Sequence, residues 1–225
     1  MGDEGRRFLR YVMPGLVYGV ETLLFLIIAL PEPTVSFLVE VSGKDAFGTI
    51  AGVFLASGAL GFIFSSIHHY FLWHCEKDVF DHRKVIQKLY DLKKITLDKE
   101  DIEKLGVTGT LKDTLEAREI AQSLSLAVWY SHLKPHEPGK DQLALLGNQA
   151  HGLGTARFAS LFAIFTTVGL CVRYGTLKLE LWPTIDYILM LSLGVFAFCV
   201  CHIGYKRVAR FAQKIYDKTI VELQQ

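Results

Sequence analysis

Charge is scarce in this chain and almost balanced. Lys, Arg, Asp and Glu make up 21% of its 225 residues and leave a formal net charge of +1, so the basic excess needed to track a nucleic-acid backbone is missing and no nucleic acid is implied as a partner. Cysteine is equally sparse. Cys75, Cys171, Cys199 and Cys201 include no CxxC pair and no spacing of a disulfide framework or zinc ribbon, and three of them lie in apolar runs, where a free thiol behaves as a small hydrophobe. Also absent are a phosphate-binding P-loop, GxGxxG, GxSxG and HExxH, which removes the common nucleotide-binding, serine-hydrolase and zinc-protease signatures. No internal repeat or low-complexity run appears, and the chain has little room for the inverted repeats of transporters.

What the chain has is apolar residues, 51% of the total, gathered in blocks. A bilayer core of roughly 30 Å needs about 20 apolar helical residues to cross it, and four segments approach that length. Residues 11–30 carry one charge, Glu21, and stop at Pro31 and Pro33. Residues 47–73 contain no Asp, Glu, Lys or Arg. Residues 154–172 carry Arg157, with Arg173 next in sequence, and the last run covers residues 185–203. The stretch between Arg157 and Arg173 spans only about 22 Å. Both guanidiniums must therefore snorkel to the headgroups, or the helix must sit against protein rather than lipid. Arg6, Arg7 and Arg10 ahead of the first run imitate a signal peptide, but the run is long and lacks a small-x-small cleavage site before Pro31, so an uncleaved first span is expected.

Lys and Arg fix the expected orientation. Residues 1–10 hold three, 31–46 hold Lys44 alone, 74–157 hold thirteen, 173–184 hold Arg173 and Lys178, and 205–225 hold five. The predicted fold is an all-α integral membrane protein of the cell (inner) membrane, multi-pass, with both termini cytoplasmic. Its parts are transmembrane helices 1 and 2 in residues 1–73, a small cytoplasmic helical domain in 74–153, transmembrane helices 3 and 4 in 154–204, and a basic tail in 205–225. Within the inserted domain, Val85, Ile86, Leu89 and Leu92 repeat at helical spacing and predict an amphipathic helix over 78–94. Asp98 and Asp101 predict the cap of a short helix that Gly106 ends, and Thr110 with Asp113 predicts the start of a longer one. Gly147, Gly152 and Gly154 predict a kink or break on the way into the third span.

Three groups of residues are candidates for function. Glu21 lies near the middle of the first span, where an ionised carboxylate is expensive, and Ser57, Thr166, Thr167 and Ser192 stand at matching depth to hydrogen-bond it, as interhelical glue or as part of a polar path. Gly15, Gly19, Gly48, Gly52 and Gly61 are spaced for close helix packing, within the chain or in a homo-oligomer. All eight His fall on the expected cytoplasmic side. His68-His69 and His132-x-x-x-His136 resemble fragments of the His boxes of membrane-bound desaturases and hydroxylases. That resemblance implies iron, or zinc in a related site, held by His68, His69, His132, His136 and His151. The chain departs from the pattern in having no third paired box after the last span, and Pro135 interrupts the HxxxH. Scattered interfacial His that pack or hydrogen-bond are the plainer alternative.

The expectation is therefore a small oligomeric membrane protein without a cofactor. It would act as a channel, or as a membrane-anchored sensor or effector whose cytoplasmic domain binds a protein partner. Bacterial stress and antiviral systems use such plans, an analogy of architecture only. A metal-dependent membrane enzyme is the alternative, with the balance against an enzyme.

Overall fold

Proline sets the first helix boundaries. In the computed structural model, which describes residue 5 and residues 8–42, 46–76, 79, 81–132, 138–173 and 185–223, a π-helical turn over Phe8–Val12 leads into α1, Met13–Ala29, with Pro14 in its first turn. There the missing N–H costs nothing, since the first amides of a helix have no partner inside it. Leu30 leaves helical geometry (φ −139°, ψ 61°), as a residue before proline does. Pro31 then begins a second helix, α2, Pro31–Ser42, directly after the first apolar run. The Thr34 hydroxyl donates to the carbonyls of Leu30 (2.7 Å) and Leu26 (3.2 Å), supplying donors at a helix end where prolines cannot. The remaining helices are α3, Ala46–His74, α4, Arg83–Asp91, α5, Lys99–Leu105, α6, Leu115–His132, α7, Pro138–Arg173, and α8, Ile185–Leu223.

The described residues form no strand. Four helical stretches are long and apolar enough to cross a membrane: Arg10–Ala29, Ala51–Leu72, Gln142–Arg173 and Ile185–Val221. α7 continues through Gly147, Gly152 and Gly154 as one helix, without the expected break. Glycine weakens a helix by only about 1 kcal/mol each, and the packing of its neighbours outweighs that.

The chain divides into two compact units, Met1–His69 with Asn148–Tyr205, and Tyr70–Gly147 with Lys206–Gln225. In the first, half of the apolar window of α7 is buried against 11% of that of α8, so α7 is the central helix. Phe25 of α1, Ala163 and Ile164 of α7 and Met190 of α8 form one apolar cluster. α1 and α3 meet through their backbones. A Cβ on Gly15 would overlap the Ser57 carbonyl, and one on Gly61 would overlap that of Tyr11, so glycine is what allows this approach. Gly19 and Gly52 face open space, and Gly48 is exposed.

The second unit has its own core. Val85, Ile86 and Leu89 of α4 pack with Leu105, Ala117, Ala121, Val128 and Leu143, joined by Ala212, Ile220 and Val221; residues set aside in sequence as a basic tail thus contribute to this core. α4 begins at Arg83, and Asp78, its expected start, lies outside the described residues. The predicted cap of α5 forms, with Asp98 accepting the Asp101 N–H at 2.7 Å, and Gly106 closes the helix at φ 71°. α6 is capped four residues after Thr110, the expected cap, by Thr114 accepting from the Ala117 N–H at 3.1 Å. Asp113 is engaged elsewhere, by Arg83 Nη1 at 3.1 Å.

Arg83 also donates to both oxygens of Asp81 at 2.8 Å and to the Lys112 carbonyl at 2.6 Å. Burial opposes ionisation of Asp81, but the Arg83 hydrogen bonds and charge, with the Arg118 charge behind them, outweigh it and hold this carboxyl below the ordinary 3.8.

Two predictions follow from this packing. Gly61→Leu must separate α1 from α3 and lower the melting temperature of the detergent-purified protein, whereas Gly52→Leu must leave the monomer's melt unchanged and alter only self-association, read by native mass spectrometry; equal destabilisation by both would contradict the contact. A depressed Asp81 pKa means that its contribution is complete above an ordinary aspartate's pKa and disappears as pH falls below it. Asp81→Asn should therefore cost about 2 kcal/mol near neutral pH and little in acid, measured by melts of both proteins across that range.

Candidate functional site

Polar side chains in the first unit are concentrated on the buried face of its central helix. Arg157, Ser160, Ile164, Thr167 and Cys171 recur at steps of three and four on α7, and all are buried. At one end of this stripe Arg157 is 3% exposed. Of the two outcomes open to an arginine at this depth, it takes the one against protein. Its Nη1 donates to His202 Nδ1 (2.9 Å), its Nη2 to His68 Nδ1 (3.4 Å) and its Nε to the Gly154 carbonyl (3.2 Å). The guanidinium plane also lies over the rings of Phe158 and Tyr205, at 4.9 and 4.6 Å, within the range of cation–π attraction.

A second arginine reaches the same place from α1's leading turn. Arg10 Nη2 donates to His69 Nε2 at 2.7 Å. The rings of His68, His69 and His151 are neighbours, with centroids 4.8 Å apart for His69–His151, 5.6 Å for His68–His151 and 5.9 Å for His68–His69. Tyr205 meets His68 edge-on at 5.1 Å. Because arginine has no acceptor, each imidazole nitrogen that it touches must offer a lone pair. His68 and His202 through Nδ1, and His69 through Nε2, are therefore neutral while these bonds hold. Gly154 is required here, since a Cβ would run into the His68 ring.

Farther along the bundle, Ser160 Oγ donates to Glu21 Oε1 at 3.0 Å and is shared with the Ala156 carbonyl at 3.2 Å. Tyr18 and Thr166 are joined through their hydroxyls at 3.0 Å. The other residues expected around Glu21 point their hydroxyls elsewhere. Ser57 donates to its own helix at Val53 (2.7 Å), Thr167 to its own at Ala163 (2.9 Å), and Ser192 is exposed.

Comparison with protein-family models, curated proteins and solved structures finds no match. The chemistry has to be read from the cluster alone. Of the five expected metal-ligating residues, His68, His69 and His151 come together. His132 is the last residue of α6, in the second unit, and His136 lies outside the described residues. No group of three or more His, Cys, Asp or Glu among the described residues is placed to hold a metal ion. The lone pairs of His68 Nδ1 and His69 Nε2, which a metal would use, are taken by guanidinium protons.

Sequence reasoning missed Ser160 as the Glu21 partner, and Tyr205 and His202 as the partners of Arg157. The signal available was the polar spacing on α7, which places Ser160 on the same face as Arg157 and Thr167. The Glu21–Ser160 contact predicts a measurable coupling. In a double-mutant cycle of Glu21→Leu and Ser160→Ala, each change should destabilise and the pair should fall short of additivity by about 0.6–2 kcal/mol. Strictly additive melts would remove the contact.

Proposed function

We propose that the chain is an integral protein of the cell membrane, crossing it four times with both termini cytoplasmic, and that it serves as a membrane-anchored sensor or effector subunit. The Arg10–His69–His151–His68–Arg157 cluster receives the signal, and the second, helical unit engages a cytoplasmic protein partner, in a homo-oligomer. The observation carrying this reading is that buried polar side chains of the first unit engage one another: Arg157 on His68 and His202, Arg10 on His69, Glu21 on Ser160, Tyr18 on Thr166. Buried polar groups in apolar helices are expensive and persist where they serve recognition or switching. A channel instead needs polar side chains along a hydrated path. A metal-dependent enzyme is less well supported, because guanidinium donors compete for the imidazole lone pairs.

The continuity of α7 and α8, each of which contributes residues to both units, favours signalling over simple anchoring, since the covalent connection is helical. Two measurements test the proposal. Reporter fusions should place Val39 outside and Leu111 inside, and a cytoplasmic signal at Val39 would reverse the topology. Proteoliposomes of the purified protein should be tight to ions; a flux that Glu21→Gln abolishes would replace the sensor with a channel.

A further inference from the structure

Around the His68–His69 pair, two buried N–H groups have no acceptor among the described residues. His68 Nδ1 takes the Arg157 hydrogen bond, so the neutral ring carries its hydrogen on Nε2. That nitrogen is buried in a fully buried side chain and has no hydrogen-bond partner among the described residues. Arg10 Nε, which always carries a hydrogen, is in the same position. Arg10 makes its one side-chain hydrogen bond through Nη2 to His69, with its own neighbour Tyr11 beneath the guanidinium at 5.5 Å, and no carboxylate among the described residues reaches it. Gly154 packs directly against this ring, and a Cβ there would meet its Cε1 and Nε2.

A buried donor without an acceptor costs about 1–3 kcal/mol, and more when it is charged. Water could accept from either group but would leave the Arg10 charge uncompensated in apolar surroundings. An oxygen anion answers both needs. We propose that Arg10 and His68 hold a phosphate-type oxyanion, with Gly154 letting the His68 ring take its place and His69 fixing the Arg10 guanidinium. Arg10 is the first residue of one candidate span, and His68 lies four residues before the end of another. On the membrane placement proposed above, on which this step rests, both stand at headgroup depth. A phospholipid phosphate is then the favoured source, and a free inorganic oxyanion the other.

The test uses the full-length protein in neutral detergent, titrated with dihexanoyl phosphatidylglycerol, with the zwitterionic dihexanoyl phosphatidylcholine and with inorganic phosphate, reading melting temperature and affinity. Saturable stabilisation by the phosphatidylglycerol alone assigns a lipid headgroup, and stabilisation by inorganic phosphate assigns a free oxyanion. In either case Arg10→Gln should weaken binding about tenfold or more, Arg10→Lys should retain part of it, and Gly154→Ala should weaken it by displacing the His68 ring. No saturable effect of any probe, or equal affinities for wild type and Arg10→Gln, overturns the proposal. Should Arg10→Gln fail to fold, native mass spectrometry of the wild type decides: retention of phosphatidylglycerol or phosphate supports the site, and retention of neither refutes it. Binding in detergent depends on neither orientation nor signalling, so failure here and failure of the topology test are separate results.

Discussion

A guanidinium cannot be neutralised by giving up its proton, so an arginine placed within an apolar bundle obliges everything near it to adapt. Arg157 has that position on α7, and the residues around it each answer part of the demand. His68 and His202 lend imidazole lone pairs, the Gly154 carbonyl accepts from Nε, and the Phe158 and Tyr205 rings present their faces. Gly154 in turn leaves room for the imidazole it adjoins. The apolar helices can therefore keep a permanent charge inside without a break in α7.

Close backbone contact is the second constraint. Lipid tails are as apolar as leucine side chains, so helices in a membrane gain little from hiding apolar surface and rely on shape and hydrogen bonding. Gly15 against Ser57 and Gly61 against Tyr11 supply the shape for α3 against α1 and its leading turn, while Glu21–Ser160 and Tyr18–Thr166 supply the hydrogen bonds for α1 and α7. The second unit is held differently. It has an apolar core of the kind found in water-soluble helical domains, and an Asp81–Arg83–Asp113 network that clips the entry to α4 to the entry to α6.

Much of the fold was legible because its causes are local. Apolar runs marked the four long helices, the Asp98 cap and Gly106 marked both ends of α5, and the spacing of Val85, Ile86 and Leu89 marked the buried face of α4. The misreadings arose where two local signals compete or a distant one intervenes. Pro31 both ends one helix and is well suited to begin another, and here it does both, closing α1 and opening α2. Thr110 and Asp113 have the spacing of a capping box, but the Arg83 charge takes Asp113 and Thr114 caps α6.

The amino-acid sequence by itself determined helix type, the number and length of the apolar segments, and the concentration of Lys and Arg, because these depend on composition and on periodicity along one chain. It also announced that Glu21 and Arg157 would be costly. Which side chains meet that cost was decided by tertiary structure. Ser160 reaches Glu21, and His68 and His202 reach Arg157, because of the rotation and axial offset of each helix against its neighbours, and these are set jointly by side-chain volume on all of them. No periodicity within one segment encodes them.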